Sequence, residues 1–288
     1  MLIAQITDIH IGFDKSKAGG NPEEHNMLRL RAVLDKLVNG PNVPDLLLLS
    51  GDLTEDGAAQ DYARLAEAVA VCPFPVWPMT GNHDARAALR AAFAQTPGSP
   101  EDFVHYVLDH GALRIVVLDT LEIGRHGGGF CEARARWLDE TLATAPDKPT
   151  LVALHHPPFP AGIPWMDTDP REPWVARLAG ALSGHGQVKG LIAGHLHRTI
   201  LSNWDGLPVV VCPSVAPAVG LDLTPIDADR PDDRTLITDE PPGYCLHLWN
   251  GTDVVTHFEY AGNYRVFARY DTGLQGMIRE MMGERPPT

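Results

Sequence analysis

An α/β fold, with buried strands sandwiched between helical layers and a second sheet completed late in the chain, is the architecture this sequence predicts. Three observations carry it. Short apolar, β-branched-rich runs alternate with helically patterned segments over the first two-thirds of the chain, the rhythm of βαβ units. The 288 residues, 44% of them apolar, suffice for one large domain with an appendage. After Gly194 the rhythm changes to closely spaced strands with Asp205-Gly206 and Asn250-Gly251 as turn signals.

In chain order, Leu2 to Thr7 reads as a strand, and Glu23 to Val38 as a helix because Met27, Leu30, Val33, Leu34 and Leu37 recur at helical spacing. Leu46 to Ser50 is a strand, Ala58 to Val71 a helix, Pro75 to Met79 a short strand and Ala85 to Ala94 an alanine-rich helix. Strands follow at Phe103 to Leu108 and Leu113 to Leu118, a helix at Glu132 to Ala143, and strands at Thr150 to Leu154 and Val188 to Ala193. Ile200 to Trp204, Pro208 to Cys212, Tyr244 to Trp249 and Val254 to Tyr260 read as antiparallel strands completing the second sheet. Leu221 to Pro242, rich in Asp, Pro and Thr, is too polar for a core and is expected to run over the surface or the site rim. Leu274 to Met282 is a candidate terminal helix, packed on the body or on a second subunit.

The net charge of −14 disfavours a broad footprint on nucleic acid or anionic membrane, and a small anionic substrate held by metals is the better match. No apolar run approaches the roughly 20 residues of a membrane span. Met1 leads straight into the first strand, which leaves no room for a secretory signal and makes the cytoplasm the expected location. Cys72, Cys131, Cys212 and Cys245 are scattered without a CxxC pair and read as buried free thiols.

Five short segments carry the chemistry: Asp8-Ile9-His10, Gly51-Asp52, Gly81-Asn82-His83-Asp84, His155-His156-Pro157-Pro158 and Gly194-His195-Leu196-His197. Each follows a predicted strand, so one sheet edge can gather their carboxylate, amide and imidazole groups around two metal ions. Such ligands suit Mn, Fe or Zn, and the absence of cysteine argues against a soft thiolate site. Alternate residues of an extended chain share a face, which sets Asp8 beside His10 and His195 beside His197. Asp52, Asn82 and Asp84 have a plainer alternative as turn or helix caps, Asp84 most of all. His155 and His156 cannot both face the metals from an extended chain; His155, directly after the strand, is the chosen ligand.

In this order and spacing, the segments resemble the calcineurin-like metallophosphoesterases, and among them the bacterial class III cyclic-nucleotide phosphodiesterases and glycerophosphodiesterases. The resemblance spans residues 1 to about 200. It implies a four-layer αββα sandwich of two mixed sheets flanked by helices, with residues 1–262 as the catalytic domain and 263–288 as an appendage that could serve oligomerisation. It further implies that Asp8, His10 and His197 bind one ion, that Asn82, His155 and His195 bind the other, and that Asp52 bridges them. The implied reaction is hydrolysis of a small anionic phosphodiester by a metal-activated hydroxide, with 3',5'-cyclic nucleotides ahead of glycerophosphodiesters. Asn82 would also touch substrate, and His83 would stabilise a phosphoryl oxygen or protonate the leaving alkoxide.

Departures from the wider superfamily narrow this reading. Gly51-Asp52-Leu53-Thr54-Glu55-Asp56-Gly57 lacks the phosphate-binding Arg of protein serine/threonine phosphatases, and Glu55 replaces the Asp that would orient the active-site histidine. Whether Glu55 or Asp84 orients His83 is left open. Pro213-Ser214-Val215-Ala216-Pro217 lacks the second substrate-pocket histidine of related glycerophosphodiesterases. Arg198 either touches substrate or serves as a surface ion-pair partner. Arg125-His126-Gly127-Gly128-Gly129 has no P-loop Lys-Ser/Thr and reads as a flexible rim loop, and the segment from Asp14 to Gly20 could form the pocket mouth. Two other readings stand beside the phosphodiesterase: a phosphomonoesterase or broad phosphohydrolase of the same fold, and a non-catalytic scaffold, which the complete ligand set disfavours.

Overall fold

The computed structural model describes residues 1–13, 22–98 and 102–286; the expected pocket-mouth segment from Asp14 to Gly20 lies outside them. The first half runs β1 (Leu2–Ile6), α1 (Pro22–Asn39), β2 (Leu46–Ser50), α2 (Ala59–Val69), β3 (Val76–Met79), α3 (Arg86–Ala92), β4 (Tyr106–His110), β5 (Leu113–Val117) and α4 (Glu132–Ala143). It continues with β6 (Thr150–Ala153), α5 (Pro173–Leu182), β7 (Val188–Ala193), β8 (Ile200–Trp204), β9 (Leu207–Val211), β10 (Ala218–Val219), β11 (Ile237–Thr238), β12 (Gly243–Trp249), β13 (Val254–Tyr260) and α6 (Gln275–Gly283).

Two mixed sheets form, in strand orders β13-β12-β1-β2-β3 and β4-β5-β6-β7-β9-β8. The hairpins after Gly194 do not join one sheet as expected. β8 and β9 extend the second sheet, with β9 parallel to β7, whereas β12 pairs antiparallel with β1 in the first. Period-2 alternation divides the core. Ile115 and Val117 of β5 pack in the cluster that holds the apolar faces of α1, α2 and α3, while Val116 packs with Leu138 of α4 and Leu178 of α5. The layers are therefore α1–α3, first sheet, second sheet, α4–α5, a four-layer αββα sandwich.

α5 was not expected, although Trp174, Val175, Leu178, Ala181 and Leu182 are buried at helical spacing and Pro173 sits at its first turn. The polar 221–242 excursion is bracketed by the two-residue β10–β11 pairing, Ala218 with Thr238 and Val219 with Ile237. α6 buries none of its residues against the body. Cys212 and Cys245 are buried and Cys72 and Cys131 half-buried, all four as free thiols. Among the described residues no helix is long and apolar enough to cross a membrane.

A buried polar chain ties the sheets together. The Gln5 amide on β1 donates to Ser50 Oγ on β2 (2.8 Å) and to the Ala193 carbonyl at the end of β7 (3.0 Å). Its oxygen accepts from His247 Nε2 on β12 (2.9 Å), whose Nδ1 lies 2.8 Å from Thr256 Oγ1 on β13. Burial pushes the His247 imidazole down to about 3, so it folds neutral. Because the unfolded chain takes up that proton near its ordinary pKa of about 6.5, stability is full above that pH and drains away as pH falls toward about 3. His247 alone is expected to contribute a loss on the order of 2 kcal/mol between about pH 7 and about pH 4.5. Urea midpoints at the two pH values should show a smaller acid loss in His247→Gln than in the wild type; equal losses would remove His247 from the acid response.

Candidate metal centre

The five segments all leave the C-terminal ends of parallel strands: β1 leads to Asp8, β2 to Asp52, β3 to Asn82, β6 to His155 and β7 to His195. Packing the two sheets face to face brings these ends together, the usual place for a site in an open α/β sheet. The chain after β1 is not extended there. Asp8 (φ 51°) and His10 (φ 50°) both adopt the left-handed region, as do Asp52 (50°), His195 (72°) and His197 (52°). For non-glycine residues this stores roughly 1–3 kcal/mol each, so the surrounding structure must over-determine it. It does so partly by a backbone zipper in which Asp8 N donates to Gly51 O (3.0 Å) and Ile9 N and His10 N donate to Asp52 O (2.8 and 3.0 Å).

Two glycines preceding candidate ligands are dictated by close approach rather than by φ. A methyl group on Gly81 would collide with Asp52 Oδ1 and the His155 ring, and one on Gly194 would collide with Thr7 Oγ1 and Asp8 Oδ2. This is the physical content of the Gly-Asn-His and Gly-His-x-His spacing.

Two adjoining clusters result. In the first, His10 Nε2 and His197 Nε2 lie 3.2 Å apart, and His197 Nε2 is 3.4 Å from Asp8 Oδ1. Their other nitrogens are engaged: His197 Nδ1 donates to the Pro217 carbonyl (2.8 Å), and His10 Nδ1 meets the Glu55 carboxylate (2.7 Å). In the second, His155 Nδ1 donates to the Ser50 carbonyl (2.8 Å), so Nε2 is the nitrogen that faces Asp52 Oδ2 (3.3 Å) and Asp8 Oδ1 (3.8 Å). The His195 ring stands 5.3 Å from that of His155. Asp52 Oδ2 is also 3.7 Å from His10 Nε2, which sets this carboxylate between the clusters.

These groups fit a pair of cations. His155 Nε2 is buried with no hydrogen-bond partner, and Asp8, His10 and His197, and likewise Asp8, Asp52 and His155, present ligand atoms within 4.8 Å of one another. Inward-pointing imidazole lone pairs beside fully buried carboxylates call for positive charge. The electrostatics agree. Burial works to raise both carboxyls, yet His155 above all holds Asp52 well below the usual carboxylate range, and His197 above all lowers Asp8. Burial pulls His155 down, but Asp52 and Asp8 outweigh it and raise it to about 9. Burial and neighbouring imidazoles keep His195 and His156 well below 6.5, neutral and able to act as ligands or neutral hydrogen-bond partners.

His156 takes a supporting place. Its Nε2 donates to Asn82 Oδ1 and to the His126 carbonyl (both 3.2 Å), and its Nδ1 lies 2.8 Å from Thr120 Oγ1. His83 has its backbone N–H on Asp52 Oδ1 (2.9 Å), while its Nδ1 donates to the Glu55 carbonyl (2.7 Å), with the Glu55 carboxylate 3.9 Å away. The choice between Glu55 and Asp84 is thereby answered: Glu55 orients His83, through its backbone. Asp84 is not a helix cap, since α3 begins after Ala85 with no side-chain cap. It accepts instead from Gly81 N (2.8 Å), Leu53 N (3.2 Å) and Tyr62 Oη (2.7 Å), stitching two ligand loops together. Burial and the nearby Asp52 raise its carboxyl to about 6.

Arg198 is committed elsewhere, donating to the Val219 carbonyl (2.7 Å) and pairing with Glu240 (3.0 Å) in a side cleft beside Tyr260. The surface-pair alternative describes it better than substrate contact. A cavity of about 180 Å³ opens beside the first cluster, lined by His10, His197, His83, His126 and an apolar wall of Phe13, Trp165, Met166, Val219 and Ile237. That wall was missed in the sequence, where single hydrophobic residues in loops carry no periodic signal.

The chain matches the calcineurin-like phosphoesterase family model over residues 1–199. It is 31% identical over 266 residues to the "Probable glycerophosphodiester phosphodiesterase GpdQ" of Arcobacter nitrofigilis, an alignment covering 92% of this chain and 94% of the relative. It is 33% identical over 215 residues to the 3',5'-cyclic adenosine monophosphate phosphodiesterase CpdA of Escherichia coli, covering 74% of this chain and 75% of the relative. In fold it is similar to a dimetal phosphatase from Danio rerio, with a TM-score of 0.63 at 16% identity over 91% of this chain and 96% of the other. A family match over more than half its length, together with the extent of the GpdQ alignment, means that the chain belongs to the calcineurin-like phosphoesterases.

Proposed function

We propose that the protein is a dinuclear metal-dependent phosphodiesterase acting on small diesters, 3',5'-cyclic nucleotides ahead of glycerophosphodiesters. The observation that carries it is the orphaned, inward-facing Nε2 of buried His155 beside Asp8 and Asp52, next to the opposed Nε2 atoms of His10 and His197. Asp8, His10 and His197 would hold one ion and Asn82, His155 and His195 the other, with Asp52 shared between them. Mn, Fe and Zn all suit this donor set. Bound cations would supply a more acidic water and positive charge for the phosphoryl oxygens.

The remaining steps belong to the chain. His83, its Nδ1 held by the Glu55 carbonyl, presents Nε2 to the cavity and protonates the leaving alkoxide when charged. Asn82 contacts the phosphoryl group, its amide oriented by His156. The apolar wall favours a flat nucleobase over the hydroxyls of glycerol. The names of the two relatives, one a glycerophosphodiester and one a cyclic AMP phosphodiesterase, support the diester class. We further assign catalysis to residues 1–262, with 263–288 as an appendage, and take the cytoplasm as the place of action.

Phosphorus NMR of Mn-loaded protein, with 3',5'-cAMP, a glycerophosphodiester and a phosphomonoester in one tube, should show the cyclic nucleotide disappearing first. Loss of the monoester alone would replace this reading with a phosphatase. Asp52→Ala is expected to lose both ions and all turnover, measured by elemental analysis and the same assay. His83→Ala should keep two ions and lose roughly 10²–10⁴-fold in kcat, the worth of an acid/base group. A metal-replete His83→Ala enzyme with wild-type kcat would take that residue out of the mechanism.

A further inference from the structure

The segment 124–129 is tied down on every side. Arg125 pairs with Glu172 (2.8 Å), Gly129 N donates to Thr120 O (2.9 Å), and the His126 carbonyl accepts from buried His156 (3.2 Å). A methyl group on Gly128 would press into His156 and Trp174, so the backbone lies directly against the histidine that orients Asn82. At the loop base Asp119, fully buried, takes two hydrogen bonds from Arg86 (2.6 and 2.9 Å), and Arg86 also donates to Leu121 O (2.7 Å). Because Arg86 opens α3, just after His83, the loop and the His83 turn are braced against each other.

These anchors aim one side chain at the cavity. The His126 ring lies 4.9 Å from that of His195 and 6.5 Å from that of His83, at 83° to the latter, while His83 lies 4.8 Å from His10. Each of the two cavity histidines therefore stands beside a histidine of a different cluster. Among the described residues the His126 ring nitrogens make no hydrogen bond; only its carbonyl is used by the protein.

We propose that His126 is a second substrate-contacting histidine, donating an imidazole N–H to the phosphoryl group from the side of the cavity opposite His83. The proposal rests on the phosphoesterase reading of the cavity and needs no change in the His126 protonation state, since a neutral imidazole carries one N–H donor. A phosphoryl group entering the cavity would meet His83 beside His10 on one side and His126 beside His195 on the other. Their placement on separate, mutually braced loops fixes the width of the slot the phosphoryl group enters.

The test uses Mn-loaded protein and two probes: inorganic phosphate, by calorimetry, and 3',5'-cAMP, by steady-state kinetics. His126→Ala is expected to keep both ions and the wild-type melting temperature. It should weaken phosphate binding and lower kcat/KM by about tenfold or more, the worth of one hydrogen bond to a charged group. His126→Gln, which retains an N–H at similar reach, should recover most of both. Unchanged phosphate affinity in His126→Ala, loss of metal from it, or a Gln variant no better than Ala would overturn the proposal. If the wild type hydrolyses no diester while His126→Ala still weakens phosphate binding, the phosphodiesterase reading fails and the role of His126 stands.

Discussion

Two carboxylates, Asp8 and Asp52, are buried where the two sheets meet, at 0% and 2% exposure. Without water their charges repel and lack solvation, a cost that several kcal/mol per ion makes prohibitive unless positive charge is supplied locally. The imidazoles of His10, His155 and His197 surround them, an arrangement able to hold a pair of cations. Much of the local structure serves this convergence: left-handed ligand residues, glycines without room for a side chain, and strand ends from both sheets brought to one place. Folding and metal affinity are consequently linked, because the same residues balance charge in both.

The direction of each imidazole is set from another element. Ser50 after β2 holds His155 after β6; Pro217 holds His197 after β7; Glu55 holds both His10 and His83. Ligand orientation thus inherits the packing of one sheet on the other, and the Gln5 amide that spans them is part of the site's support although it lies beneath it. Backbone carbonyls suit this task, since an accepting carbonyl fixes which ring nitrogen keeps its proton and leaves the other as a lone pair.

Much of this was legible in the chain. The parallel strands appear as apolar runs, and the ligand types behind them name the chemistry without further information. What local pattern cannot supply is pairing between distant segments. The β12–β13 hairpin reads as well for either sheet, because its alternation says which face is buried and not which neighbour it joins. The β10–β11 bridge is two residues long, too short for any periodic signal, yet it brings Val219 and Ile237 to the cavity wall. The expectation that Asp8 and His10 share a face of an extended strand named the right neighbours for the wrong reason, since the left-handed backbone at both residues is invisible to pattern reading. α5 was not expected although its apolar spacing was available; Pro173 stands in the first turn, where a proline is compatible with a helix.

Glu55 shows how one methylene redistributes roles within such a site. At a position where an aspartate would be expected to reach the active-site histidine, the longer side chain carries its carboxylate to His10 Nδ1 at 2.7 Å and leaves it 3.9 Å from His83. The carboxylate thereby holds the imidazole whose other nitrogen faces Asp52 and His197. His83 is held instead by the backbone carbonyl of the same residue, which fixes the direction of the ring. One residue thus orients two histidines, His10 through its carboxylate and His83 through its backbone carbonyl.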